Sequence, residues 1–185
     1  MPAKPLERFA GRAEIAHAVQ RVARQISAER ADGTVLVAVL KGSLLFVADL
    51  VRCLDIDVEI DFLALSRFAP DSGRVRLLKD LEHEVADKDV VLVEGIVDTG
   101  LSLNYLMGEM FRRSAASVSV ATLLDRRARR ILPIKPDYVA FEAPDEFFLG
   151  YGLDWSGRYR NLQDLFICDP KSLTLEPDAF VPLLY

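Results

Sequence analysis

Between Val90 and Leu103 the chain reads VVLVEGIVDTGLSL, an apolar run that carries Glu94 and Asp98 and runs out into Thr99, Gly100, Leu101 and Ser102. No lysine follows the glycine, so this is not the lysine-bearing turn that cradles nucleoside triphosphates. If the apolar run is a strand and the next residues open a helix, the backbone N–H groups of Thr99 to Ser102 can converge on a phosphate. The helix dipole adds favourable potential there, and the Thr99 and Ser102 hydroxyls add donors. Gly100 allows the close backbone approach that such a cradle needs. Asp98 would repel a phosphate, but it suits a hydrogen bond with, or a proton taken from, a neutral group beside the phosphate. Glu94 could hold a hydroxylated sugar or a magnesium ion. Taken alone, Asp98-Thr99-Gly100 equally describes a helix cap and an ordinary turn; the surrounding pattern must decide.

That pattern is an alternation of strands and helices. Ile15, Val19, Val22 and Ile26 form one apolar face of a helix over Ala13 to Ala31. TVLVAVL, Thr34 to Leu40, is a continuous β-branched run expected as a strand buried on both faces; Lys41-Gly42 turns the chain, and SLLFVADLVRCL is helical in pattern. VEIDFLALSRF, Val58 to Phe68, is strand-like, APDSGRVRLLKD reads as a mobile turn-rich connection with its tip at Asp71-Ser72-Gly73, and a short strand is expected at Val75 to Leu78. After the 90–103 stretch comes the helix SLNYLMGEMFRR, and SVSVATLLD from Ser117 supplies the next strand. Such repetition implies a parallel sheet covered on both faces, with ligands at the carboxyl ends of its strands. DYVAFEAP, FFLGYGLDW and RYRNLQDLFICD are aromatic-rich and broken by Pro and Gly, and are expected to form a small lobe beside the sheet.

Composition limits the alternatives. The 185 residues, 51% of them hydrophobic, suit one domain spanning 1–185. A net charge of −5 excludes a general nucleic-acid footprint, and the Arg126, Arg127, Arg129, Arg130 cluster is short. Two widely separated cysteines, Cys53 and Cys168, indicate neither a disulfide framework nor a metal cluster and suit a reduced cytoplasmic setting. No apolar run approaches the roughly 20 residues that span a bilayer, so no membrane association is expected. His17 and His83 belong to no motif and are read as surface or capping residues.

VVLVEGIVDTGLSL resembles the phosphoribosyl-pyrophosphate (PRPP) motif of the purine phosphoribosyltransferases, and four segments between Val35 and Asp164 agree with that family in order and spacing. VAVLKGSLLFVADL resembles its pyrophosphate loop, TLLDRRARR and KPDYVAF its base-side region, and DEFFLGYGLDWSGRYRNL its C-terminal base-binding lobe, in the hypoxanthine-guanine manner. The resemblance implies an α/β fold: a parallel sheet flanked by helices, with a small C-terminal hood. It further implies transfer of phosphoribosyl from PRPP to a 6-oxopurine, with release of pyrophosphate and with Mg²⁺ as cofactor. PRPP and a purine base would be the partners, and the chain would assemble as a homodimer or homotetramer.

Residue by residue, the resemblance makes Asp98 the general base near the purine imidazole nitrogen and places the donor phosphate on Asp98, Thr99, Gly100, Leu101 and Ser102. Glu94 contacts ribose or its metal; Lys41, Gly42 and Arg160 bind pyrophosphate, often with a non-proline cis bond before the lysine. Arg126, Phe147, Phe148 and Asp154 surround the purine, with Phe147 stacking on it, the Phe148 backbone at its edge and Asp154 as a metal ligand beside Glu94; Arg130 matches a family arginine. Three positions depart from the family pattern. Gly95 stands where a second acid is usual, Arg67-Phe68 where Ser-Tyr is usual, and Arg126 where a lysine is usual. The departures motivate two other readings: a PRPP- or nucleotide-binding regulator with little catalysis, and a transferase for a different base. Gly95→Asp asks whether the missing acid limits catalysis.

Overall fold

The computed structural model describes residues 6–66 and 76–184. Arg67, Phe68 and the expected mobile tip at Asp71-Ser72-Gly73 lie outside the described residues. The elements in chain order are β1 (Glu7–Ala10), α1 (Arg12–Glu29), β2 (Thr34–Leu40), α2 (Leu44–Val51), β3 (Val58–Ser66) and β4 (Arg76–Lys79). They continue with β5 (Asp89–Val97), α3 (Leu101–Arg112), β6 (Ser117–Asp125), β7 (Tyr138–Glu142), β8 (Phe147–Leu149), β9 (Leu165–Cys168), α4 (Pro170–Leu175) and α5 (Val181–Leu184).

Six strands form the main sheet in the order β4-β3-β2-β5-β6-β7. All neighbours are parallel except the β3–β4 edge pair, which is antiparallel. The expected parallel sheet therefore carries one reversed edge strand: only nine residues separate β3 from β4, fewer than the dozen or more that a parallel crossover needs.

Alternation along β2 and β5 sorts their side chains between two faces. Leu36, Ala38, Val91 and Val93 meet the apolar stripe of α1 (Ile15, Val19, Val22, Ile26) and Phe46, Val47 and Leu50 of α2. Val35, Val37, Val39, Val90 and Leu92 meet Leu103, Leu106 and Met110 of α3. Full burial of such a Leu or Val side chain contributes about 1.5–3 kcal/mol, so these faces dominate the stability. The order in which strands are added reverses between β2 and β5: β3 lies on the far side of β2, while β6 and β7 lie beyond β5. The turns that leave β2 and β5 therefore flank a crevice at a topological switch point, the place where open α/β sheets bind ligands.

Two expectations about the small lobe need correction. DYVAFEAP supplies β7, which pairs in parallel with β6 in the main sheet and is no part of the lobe. The lobe itself is a three-stranded antiparallel sheet, β1-β9-β8, so the N-terminus contributes a strand to it. The sequence hides β1 because ERFA is too short for a period-two signal, and pairing with β9 creates it.

Candidate active site

The turn after β5 is held from beneath. Arg130 Nε donates to the carbonyl of Asp98 at 2.9 Å, and the carbonyl of Thr99 accepts from the N–H groups of Ile131 at 2.9 Å and Leu132 at 3.2 Å. Arg130 also pairs with Asp125, whose other oxygen receives Arg127 Nε at 2.9 Å. Asp125 is buried, and this pairing, together with Glu142, holds the Arg127 guanidinium above its ordinary pKa. Arg130 is thus a scaffold residue that fixes the turn. The sequence match gives it no role, because a charge pair between residues 125 and 130 leaves no distinctive pattern.

Gly100 caps α3 at φ +85°, a conformation that a side chain would strain, and a Cβ there would lie 3.2 Å from Arg130 Cδ. The first intrahelical bond runs from Asn104 N–H to the Gly100 carbonyl at 2.8 Å. The N–H groups before it have no acceptor within the helix and lie at its positive end. Leu101 N is 3.4 Å from Thr99 Oγ1, and Leu101 and Ser102 are exposed. The residues expected to cradle a phosphate therefore form a solvent-facing helix N-terminus.

Across the crevice, the Leu40–Lys41 peptide is cis, Lys41 is exposed, and buried Ser43 donates its hydroxyl to the Val39 carbonyl at 2.7 Å. On the third side, Arg126 is 8% exposed, and this near-complete burial requires a partner for its charge. Its Nη2 lies 2.9 Å from Asp98 Oδ2, and its Nη1 donates to the carbonyl of Glu146 at 2.5 Å. Asp98 Oδ1 and Arg126 Nε are buried and have no protein hydrogen-bond partner. Asp98 thus keeps one unused acceptor and Arg126 one unused donor.

Phe147 is half-buried and packs edge-on to Trp155 with ring centres 5.5 Å apart. Phe148 is buried and packs edge-on to Phe9 at 5.1 Å, so its ring belongs to the core and only its backbone is left for a ligand. Arg160 Nη2 lies 2.7 Å from Asp154 Oδ1, while Asp154 Oδ2 accepts the Gly157 N–H at 2.7 Å. The two residues matched to pyrophosphate and metal therefore neutralise each other. The lobe is tethered to α2 through Tyr151, whose hydroxyl donates to Asp49 at 2.6 Å. Burial, reinforced by that carboxylate, pushes the phenol well above its usual pKa and keeps it a donor.

Glu94 is half-buried on β5, and among the described residues no group of three or more His, Cys, Asp or Glu is arranged to hold a metal ion. Glu94 and Asp154 do not make a protein-only cage. Such a sparse carboxylate set fits Mg²⁺, which commonly keeps one or two carboxylates and takes its other oxygens from phosphates and water.

The model of the phosphoribosyl transferase domain matches residues 10–155. A hypoxanthine-guanine phosphoribosyltransferase of Bacillus subtilis is 41% identical over 162 residues, covering 85% of this chain and 89% of that protein. One from Streptococcus agalactiae is 45% identical over 130 residues, covering 69% and 72%. Among solved structures, a hypoxanthine-guanine phosphoribosyltransferase of Bacillus anthracis superposes with a TM-score of 0.83 at 36% identity, covering 87% of this chain and 97% of the other. A hypoxanthine phosphoribosyltransferase of Staphylococcus aureus gives 0.85 at 32% identity, covering 90% and 92%. With a crevice at the switch point, a helix N-terminus on one side of it and these relatives over most of its length, the chain belongs to the phosphoribosyltransferase family.

Proposed function

We propose that this protein, acting as a single domain, transfers the phosphoribosyl group of PRPP to a 6-oxopurine, hypoxanthine or guanine, forming the nucleoside monophosphate and pyrophosphate. The observation that carries the reading is the Asp98–Arg126 pair, in which one carboxylate oxygen and one guanidinium nitrogen stay without a protein hydrogen-bond partner. A 6-oxopurine presents the complementary pair, an imidazole N–H and an exocyclic oxygen.

In this reading Asp98 accepts the proton of the imidazole nitrogen beside the exocyclic oxygen as the other imidazole nitrogen attacks the anomeric carbon, and Arg126 donates to that oxygen. The bond from that carbon to pyrophosphate breaks as the new C–N bond forms, through an oxocarbenium-like transition state. The amides of Thr99 to Ser102 hold the 5′-phosphate, Glu94 takes ribose hydroxyls, and Phe147 covers the base. Lys41, the Gly42 backbone and Arg160 receive the leaving pyrophosphate, for which Arg160 must exchange Asp154 for diphosphate oxygens. That exchange frees Asp154, which with Glu94 would hold Mg²⁺; the ion supplies charge neutralisation for the leaving group.

A cytoplasmic homodimer or homotetramer completes the proposal, supported by the family's habit of self-association and by two free cysteines. The test is nucleotide formation from hypoxanthine and from guanine with PRPP and Mg²⁺. Turnover that disappears with a chelator is expected, and no product from either base would overturn the assignment. Saturable PRPP binding without product would favour a regulatory protein, and faster turnover of another base would move the specificity.

A further inference from the structure

Gly95 lies on β5 in line with Val91 and Val93, on the face that meets α2. A Cβ at Gly95 would lie 2.7 Å from both the carbonyl carbon and the oxygen of Gly42, and 3.2 Å from the nitrogen of Ser43. A Cβ at Gly152, in the lobe, would lie 2.6 Å from the same Gly42 oxygen. These neighbours are main-chain atoms and have no rotamer by which to yield. The Gly42 carbonyl is therefore enclosed between two glycines, one from the main sheet and one from the lobe. Gly152 is itself held, its N–H donating to the Arg160 carbonyl at 2.9 Å and its own carbonyl accepting Arg160 Nη1. A Cβ on Gly42 would meet only Leu153 Cδ2 at 3.5 Å, an ordinary contact, so the restriction falls on its neighbours.

We infer that Gly95 is a positioning residue for the donor site: its missing side chain seats the Gly42 carbonyl against β5 and so sets where the 41–43 turn presents its backbone to pyrophosphate. The inference rests on the reading of that turn given under Proposed function. The space into which a side chain at position 95 would first project is filled by the main chain of Gly42. Gly95→Asp consequently restores no acid to the crevice; it pushes the turn away from β5. Ribose hydroxyls are left to Glu94.

The experiment titrates inorganic pyrophosphate with Mg²⁺, and separately inosine monophosphate, into wild type, Gly95→Ala, Gly95→Asp and a Gly108→Ala control on the flank of α3. Calorimetry is paired with KM for PRPP and for the base. Since an ångström-scale misplacement can cost up to about 100-fold, Gly95→Ala should weaken pyrophosphate about 10- to 100-fold and leave the monophosphate within about twofold. KM for PRPP should rise more than KM for the base, Gly95→Asp should lose at least as much, and Gly108→Ala should match wild type.

Unchanged pyrophosphate affinity in Gly95→Ala, an equal loss for both ligands, or a gain in Gly95→Asp would overturn the inference while leaving the proposed function intact. A wild type that binds neither ligand would overturn both. If Gly95→Ala does not fold, Gly152→Ala tests the same carbonyl from the opposite side and should show the same selective loss; two variants that unfold would make the contact a folding requirement and overturn the positioning role.

Discussion

Arg126 and Asp98 meet at 2.9 Å across the base side of the crevice, and each keeps one buried polar atom without a protein partner. Arginine does here what a point charge on lysine could do only in part: it bonds Asp98 and the Glu146 carbonyl at once through separate nitrogens. In the proposed reaction the pair would link recognition of the base to the carboxylate that takes its proton.

Asp98→Asn keeps the shape of the side chain and removes its basicity. Steady-state assays should show kcat lower by about 10²–10⁴-fold, the usual worth of a general base, with thermal stability close to wild type. Activity of the Asp98→Asn variant within about threefold of wild type would assign the proton to another group.

Arg126→Lys should keep the charge and lose one of the two contacts. We expect kcat/KM for the base to fall roughly tenfold, about 1.4 kcal/mol, with KM for PRPP little changed. Arg126→Met removes both contacts and leaves Asp98 without its counter-charge, so the loss of kcat/KM should exceed that of Arg126→Lys.

Arg130→Met acts on the scaffold. It leaves the buried Asp125 with Arg127 as remaining cation and releases the Asp98 carbonyl. Stripping one partner from a buried pair costs about 3–5 kcal/mol, and the surviving Arg127 contact should reduce this to about 2–4 kcal/mol in urea unfolding. A loss under about 0.5 kcal/mol would show that Arg127 suffices.

Asp61 should shape the acid limb of stability. Burial alone would raise its pKa, but the amides of His83, Phe62 and Glu82 together outweigh it and hold the carboxyl below its ordinary value. A depressed carboxyl binds fewer protons folded than unfolded, so its contribution is complete above the unfolded pKa of about 3.9 and is lost as pH falls through the lower folded value. Unfolding at a series of pH values should show stability falling below about pH 4, and Asp61→Asn should flatten that slope and cost about 1–3 kcal/mol near neutrality.

The parts of this molecule that sequence could specify are local. Apolar periods place α1, β2 and β5 to within a residue or two, and the strand-to-helix turn at Asp98 to Ser102 is readable because glycine, hydroxyls and carboxylate sit consecutively. Continuity along the chain also places Lys41-Gly42 at a strand end. DYVAFEAP goes to the wrong sheet on sequence alone because a strand's own residues state that it is a strand and not which neighbour it will pair with. The short β1 is invisible for a related reason, since its pairing with β9 joins the two ends of the chain.

Tertiary structure decided the rest, through contacts between residues far apart in sequence. Arg126 with Asp98, Arg160 with Asp154 in the lobe, and Arg130 beneath the turn became partners only when β5, β6 and the lobe converged. Gly95 shows the division most clearly. Its sequence announces an absent acid, whereas the fold fills the space beside it with the Gly42 backbone, because steric exclusion depends on what lies within about three ångströms.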